Sequence, residues 1–386
     1  MSIFSLDEMH GRVARLQKEL AAERIDAAVL HTADNSYYMS GLPLLSAWGR
    51  PAITAVASDG DATLVLAMIE RENGERNSWI RNIQAYADEE NVTSRAVSLI
   101  AGFLKSKGHE RARIGMELDY LPRGLESLFR DALPASQLVD ISGAMARLRV
   151  VKSRAEQDLL RLGGDVAKVG AKAFVDALGD GVSELEIASQ AVRAMNREVA
   201  RRYPEGGSSS YAYCHTALHT LTPHLHPTGR QLKRGDLVGL NVFPVIWGYC
   251  MELERTFVYG EPTATQRRVL DAVNEAFDMA KAATRPGASF ADLDMMTRKY
   301  FTERGYQEYI RHGTGHAHGI MIGAASREEL GEIRNYNRGH FAPGMVNSIE
   351  PGLYLPDTGG FRHSDVLLVT ERGAELLTEF PRDVAV

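Results

Sequence analysis

Acids and histidines gather at four places in the second half of the chain. His224 and His226 stand in Thr222-Pro-His-Leu-His-Pro-Thr. Asn241, Glu252 and Glu254 stand in apolar runs on either side of Trp247-Gly248. His312, His316 and His318 stand in His-Gly-Thr-Gly-His-Ala-His-Gly, and Glu350 stands in Asn-Ser-Ile-Glu-Pro-Gly-Leu-Tyr. Imidazoles titrate near neutrality and can carry protons to and from a reacting group. Grouped carboxylates can hold a metal ion or accept hydrogen bonds from a planar cation. Each residue alone also has an ordinary role: a glycine-flanked histidine can sit in a turn, and a strand glutamate can face water. Two features favour a shared site. Glu350 lies in an apolar run just before Pro-Gly, where burying it is costly without partners. Glu252 and Glu254 alternate with Met251 and Leu253, so both carboxylates point to one face of a strand.

The elements that must position these groups follow from local pattern. Capping signatures of the form Ser-x-x-Glu at Ser5/Glu8, Ser153/Glu156 and Ser183/Glu186 predict helices to about Glu23, Leu178 and Arg202. Further helices are expected over 95–105, 125–133, 264–282 and 290–304. Strands are expected at 27–30, 53–57, 63–67, 114–117, 137–139, 237–245, 253–259, 346–349, 352–355 and 366–370. Strands alternate with helices before residue 149, as in an α/β domain. After it, a helix pair followed by strands occurs twice, which hints at an internal duplication. The expected organisation is a smaller domain at 1–149 and a larger one, carrying the acids and histidines, at 150–386.

Composition bounds the function. The 386 residues carry 44 basic and 50 acidic side chains, for a net charge of −6 with no block of one sign. That argues against a nucleic-acid-binding or membrane-surface protein. Two cysteines, Cys214 and Cys250, exclude a disulfide framework and multi-thiolate metal sites. Asp7 and Glu8 come early with no signal-peptide pattern, and the uncharged apolar run Leu237–Met251, interrupted by Asn241, Pro244 and Gly248, is shorter than the roughly 20 residues needed to span a bilayer. A cytoplasmic protein acting on a small molecule is expected. Of twelve histidines, nine lie between His215 and His363, within the larger domain.

The order of the four segments resembles the pita-bread family that includes methionine aminopeptidase, aminopeptidase P, prolidase and creatinase. The resemblance covers nearly the whole chain. It implies an α/β (α+β) fold with a small N-terminal α/β domain and a C-terminal pita-bread domain. Family peptidases bind two metal ions through Asp, Asp, His, Glu and Glu. The matching positions are Asn241, Glu252, His316, Glu350 and Ser364, so two anionic ligands have become neutral groups. The resemblance is closer to the metal-free creatinase branch. Leu240-Asn-Val-Phe-Pro-Val-Ile-Trp-Gly-Tyr followed by Leu253-Glu-Arg-Thr-Phe is similar to its signature, and Trp48-Gly49-Arg50-Pro51 follows Tyr37-Tyr38 at its spacing.

That likeness implies roles residue by residue. His224, twelve residues before Asp236, falls on the catalytic-histidine position, with His226 as the nearby competitor. Glu254 and Glu350 would clamp a planar guanidinium or amidinium. Arg50 and Arg334 would bind the substrate's carboxylate, and Trp48 would cover its methylated end. His316 and Glu252 would complete the pocket. The implied protein is a homodimeric, cofactor-free hydrolase of a carbon–nitrogen bond in a small guanidino or amidino acid, with sites at the subunit interface. Departures at Gly323, Ser364, Glu252 and Cys250 line the pocket and leave the substrate open, a cyclic amidine such as ectoine included. The alternatives are an Xaa-Pro dipeptidase with one metal on Glu252, His316 and Glu350, and a non-catalytic pita-bread binding module.

Overall fold

The computed structural model describes residues 3–44, 50–88, 90–323 and 329–382. Two compact units form: Met1–Arg149 with Ile320–Arg327, and Val150–Gly319 with Glu328–Val386.

The first unit contains α1 (Leu6–Ala22), β1 (Ala27–Leu30), α2 (Ala33–Ser40), β2 (Ile53–Ala57), β3 (Ala62–Ala67), α3 (Arg71–Asn77), β4 (Asn82–Tyr86), α4 (Val92–Ser106), β5 (Arg113–Met116), α5 (Arg123–Ala132) and β6 (Gln137–Asp140), and leads into α6 (Ser142–Val150). Its six strands form one mixed sheet in the order β4-β3-β2-β1-β5-β6. Val29, Ala55 and Val65 on the sheet pack with Ile100 and Leu104 of α4 and Phe129 of α5. At α1, Ser5 accepts from the Glu8 amide, but the Glu8 carboxylate turns to Arg12 at 2.8 Å, so only half of the expected capping box forms. Helix α2 escapes the sequence pattern because polar side chains occupy its buried face. Asn35 donates to the buried Glu117 carboxylate at 2.6 Å, and the Thr32 and His31 amides donate to the same group.

The second unit contains α7 (Arg154–Asp176), α8 (Glu184–Arg202), β7 (Tyr211–Thr216), β8 (Leu237–Phe243), β9 (Val245–Ile246), β10 (Tyr249–Cys250), β11 (Leu253–Val258), α9 (Ala264–Ala283), α10 (Phe290–Glu303), β12 (Val346–Ile349), β13 (Gly352–Leu355), β14 (Gly359–Arg362), β15 (Asp365–Thr370) and β16 (Gly373–Leu376). Full capping boxes open α7 and α8 as expected, and Thr263 with Gln266 forms a third at α9. The hinted duplication is visible in the architecture. Each half is a helix pair followed by a three-stranded antiparallel sheet, β11-β8-β7 in one and β12-β15-β16 in the other. The two sheets meet where Glu254 and Ser364 exchange backbone hydrogen bonds of 3.1 Å in each direction. A buried ion pair, Arg255 to Asp365 at 2.9 Å, crosses the same seam. Helix α7 covers β8 and β11 with Val166, Ala167 and Phe174, so the site-bearing strands are backed by an apolar layer.

Candidate active site

Strand register brings the acids together. Glu254 on β11 pairs with Asn241 on β8, and Asn241 in turn with Tyr213 on β7. With the Glu254–Ser364 bridge, Tyr213, Asn241, Glu254 and Ser364 form one row across four chain segments. Trp247 and Gly248, at φ 49° and 80°, make the tight turn between β9 and β10 that returns the chain toward Glu252.

The histidine segment is laid along β12. The amides of His318, Ser348 and Glu350 donate to the carbonyls of Val346, His316 and Thr314 at 2.7–2.8 Å. The glycines of His-Gly-Thr-Gly-His permit this approach. A Cβ at Gly315 would lie 2.0 Å from the Ser348 carbonyl oxygen, and one at Gly313 would lie 2.4 Å from Arg334 Cδ. His316 is thereby placed between two carboxylates, with Nε2 3.5 Å from Glu252 and 3.7 Å from Glu350.

A guanidinium that the sequence reading did not single out lies among the same acids. Arg362, the last residue of β14, sits 2.5 Å from Glu254 Oε1, donates to Asn241 Oδ1 at 3.1 Å, and lies 3.8 Å from Glu350. Its signal was weak because a basic residue next to His363 and Ser364 reads as an ordinary strand end. The group is buried, and three acids confront one arginine and one histidine. Burial alone would hold the His316 imidazole down, but the Glu252 and Glu350 charges outweigh it and lift it to about 10. Burial would likewise raise Glu252, but His316 and His318 bring it well below the ordinary carboxylate range. Glu254 goes the other way. Burial, with Glu252 and Glu350 close by, pushes it well up despite Arg362, and its Oε2 finds no hydrogen-bond partner among the described residues.

Asn241 is oriented by its neighbours. Its amide nitrogen lies 3.3 Å from His215 Nδ1, while His215 Nε2 donates to the Leu225 carbonyl at 2.7 Å. Burial keeps His215 neutral, which suits a ring that accepts at one nitrogen and donates at the other. This chain ties the 222–228 turn to the acid cluster. His224 stands in that turn with its side chain exposed, as does His226, whose ring packs edge-on to Tyr213.

The turn has a second anchor. Glu184, fully buried at the start of α8, accepts from the amides of Thr216 and Thr228 at 2.8 and 3.1 Å, from both threonine hydroxyls, and from His219. Burial would raise its pKa, but the hydrogen bonds from Thr216 and Thr228 hold it below its ordinary value near 4.5. A depressed folded pKa means that the unfolded chain binds more protons as pH falls. The stabilisation is therefore complete above the ordinary value and is lost as pH drops through the folded one. Glu184→Gln is expected to cost about 2 kcal/mol at neutral pH, in the range for hydrogen bonds to a charged group. It should also flatten the loss of stability below pH 4.5, which urea melts across pH can measure.

Two further expected site residues, Arg334 and Arg50, have protein partners of their own. Arg334 pairs with Glu332 at 3.1 Å and donates to the carbonyls of Gly315 and Ile333 at 2.5 and 3.0 Å. Its guanidinium thus braces the backbone just before His316, and Arg362 is the arginine that meets the carboxylates. Arg50 belongs to the first unit, where it pairs with Asp88 at 2.5 Å. Trp48 lies outside the described residues.

A model described as metallopeptidase family M24 matches residues 158–371. The chain belongs to this family. Residues 12–151 match the creatinase/prolidase N-terminal domain. A creatinase from a Bacillus species is 32% identical over 98% of this chain and 92% of its own length. The M24 fold, with its N-terminal domain and pita-bread domain, is shared with solved structures. A prolidase from Pyrococcus horikoshii has a TM-score of 0.82 at 24% identity, covering 97% of this chain and 99% of that one. An Xaa-Pro dipeptidase from Bacillus anthracis has the same TM-score and identity, covering 98% and 99%. Among the described residues, no helix is long and apolar enough to cross a membrane.

The two-metal centre implied by family M24 fits these residues poorly. The Asn241 amide is held between Arg362 and His215, and Ser364 Oγ donates to Glu252 at 2.7 Å. A guanidinium already faces Glu254, the carboxylate that stands in the row between the two altered positions, Asn241 and Ser364. Bridging two cations needs anionic ligands at the places where an amide and a hydroxyl stand. No step is therefore routed through a metal pair.

Proposed function

We propose that this M24 hydrolase cleaves a carbon–nitrogen bond in a small zwitterionic guanidino or amidino acid, as in the conversion of creatine and water to sarcosine and urea. The observation that carries this reading is the buried trio Glu252, Glu254 and Glu350, whose carboxylate oxygens come within 4.8 Å of one another. Arg362 and His316 face these three acids, and Glu254, pushed toward its neutral form with Oε2 unpartnered, is the acid to which a further cation can bring N–H donors. A planar amidinium offers N–H donors in a fork that suits such oxygens, at a lower desolvation cost than an ammonium. The 32% identity with a creatinase over almost the full chain supports the same substrate class.

In this mechanism Glu254 and Glu350 hold the amidinium and polarise its central carbon. His224 takes a proton from water as the oxygen adds to that carbon. The imidazolium then returns the proton to the departing nitrogen and the C–N bond breaks; the hydroxyl proton of the adduct passes to the freed amine, so urea leaves neutral and the amidinium's positive charge leaves as the amine's ammonium. Arg362 and His316 keep the two acids in place. Trp48 and Arg50 act on the substrate from a second copy of the chain, and sedimentation equilibrium is expected to give a dimer.

Urea release from creatine and related guanidino acids tests the proposal. Activity is expected to survive a chelator and to fall by about 10²–10⁴-fold in His224→Ala, the usual worth of a general acid–base group. Loss of all turnover on chelation would remove the metal-free mechanism. A second reading, an Xaa-Pro dipeptidase using one metal, is favoured by the closeness of Glu252 to His316 and His318. Chelator-sensitive cleavage of dipeptides with proline in second place would select it.

A further inference from the structure

His215, near the end of β7, takes no part in the proposed chemistry, yet it is buried at 2% exposure and joins two parts of the site. Its Nε2 lies 2.7 Å from the Leu225 carbonyl, and its Nδ1 lies 3.3 Å from Asn241 Nδ2. A carbonyl only accepts, so Nε2 carries the ring proton and Nδ1 keeps a lone pair. Asn241 is fixed in the same sense. A guanidinium only donates, so Oδ1 faces Arg362 at 3.1 Å. The amide hydrogens then face His215 Nδ1 and, at 3.2 Å, the Gly239 carbonyl. The bonds run one way, from Arg362 through Asn241 and His215 to the Leu225 carbonyl. The asparagine is matched to the ring, since a carboxylate at 241 would have no proton to give Nδ1.

At its far end this chain of bonds reaches the turn that carries His224. The Leu225 amide donates to the Thr222 carbonyl at 2.9 Å, which closes a four-residue turn with His224 in third place. Leu225, the residue after His224, is thus held through both its N–H and its C=O. We propose that His215 is a positioning residue: by holding the Leu225 carbonyl, it sets the direction from which His224 presents its imidazole to a substrate clamped by Glu254. Arg362, which pairs with Glu254, starts the same chain, so base and clamp share one frame. The proposal rests on the amidinohydrolase reading, in which His224 moves the proton. Proton transfer needs the base within hydrogen-bond reach of the proton it takes, so a displaced turn costs rate more than binding.

The test compares the wild type, His215→Phe, His224→Ala and the double variant, as full chains, by urea release from creatine. Phenylalanine keeps a planar ring and loses both nitrogens. In His215→Phe, kcat is expected to fall about 10²-fold, the usual effect of a misplacement of about 1 Å. KM should change little, because Arg362 still pairs with Glu254 directly. In the His224→Ala background the same change should cost nothing further, because the group it acts through is gone. His215→Gln, whose amide N–H can reach the Leu225 carbonyl, should keep most of the wild-type kcat. Spectra of ¹⁵N-histidine protein add a readout independent of turnover. The His215 signal, assigned by its loss in His215→Gln, should show a protonated Nε2 and a bare Nδ1, and this decides the matter if His215→Phe does not fold. Equal losses in both backgrounds, or the opposite tautomer, would overturn the positioning role and leave the amidinohydrolase reading in place. No urea from the wild type on any guanidino acid would overturn that reading, and with it the role of His215 in this reaction.

Discussion

Arg362→Met is expected to destabilise the protein by about 3–5 kcal/mol, the range for removing one member of a buried ion pair. The guanidinium touches Glu254 and Asn241 and faces Glu350, with its side chain 11% exposed. Without it, three buried acids are left with the single imidazolium of His316. Methionine fills similar volume, so the loss reports charge rather than a cavity. Pairing the change with Glu254→Gln should recover part of the loss, because removing both partners leaves no uncompensated charge. Lysine is a poor substitute, since an ammonium cannot donate to Glu254 and Asn241 in the planar fork that arginine uses. Chemical denaturation of the four proteins of this cycle measures the effect. A midpoint for Arg362→Met within error of the wild type would defeat the charge-balance account of the site.

The second large effect belongs to Glu350→Gln, read in catalysis. The Glu350 amide is held by the Thr314 carbonyl at 2.7 Å, so the side chain starts from a fixed backbone. Glutamine keeps the shape and removes the charge that the substrate's amidinium is proposed to meet. Truncating one partner of a buried, hydrogen-bonded charge pair costs about 2–5 kcal/mol. At about 1.4 kcal/mol per decade, kcat/KM for a guanidino acid should fall roughly 30- to 4,000-fold. The thermal midpoint should not fall, because the change relieves repulsion among Glu252, Glu254 and Glu350. Steady-state urea release and a melting curve separate the two outcomes. An unchanged kcat/KM would exclude Glu350 from the clamp.

These two tests treat Arg362 and Glu350 as parts of one electrostatic unit. The buried cluster does not need to be strongly stabilising, and buried charge often is not. Its use is to hold acids apart in protonation behaviour, with Glu252 driven down and Glu254 driven up by their surroundings. Pairs of titratable groups pushed in opposite directions are a recurring mark of acid–base sites.

Much of this was legible in the sequence where the physics is local. The Ser153/Glu156 and Ser183/Glu186 boxes work over three residues, so α7 and α8 could be placed from the sequence alone. The alternation around Leu253 put Glu252 and Glu254 on one side, and both are buried against His316 and Arg362. The glycines flanking Thr314 marked a close approach, which the Gly315–Ser348 contact explains. The order of the acid and histidine segments pointed to the family.

Partner choice was settled by tertiary structure. Arg362 meets Glu254, 108 residues away, because β11 and the start of β15 cross at the Glu254–Ser364 bridge. Arg334, noted for its spacing to Glu350, is held by Glu332 and two carbonyls, partners that spacing along the chain does not give. His318 was seen in the motif, but its contacts appear only when Cys250 and Glu252 fold beside it. A guanidinium or an imidazole can satisfy many acids, and local spacing does not rank them. Which acid it meets depends on strand register across more than a hundred residues, and a one-residue change of register would turn every side chain to the opposite face.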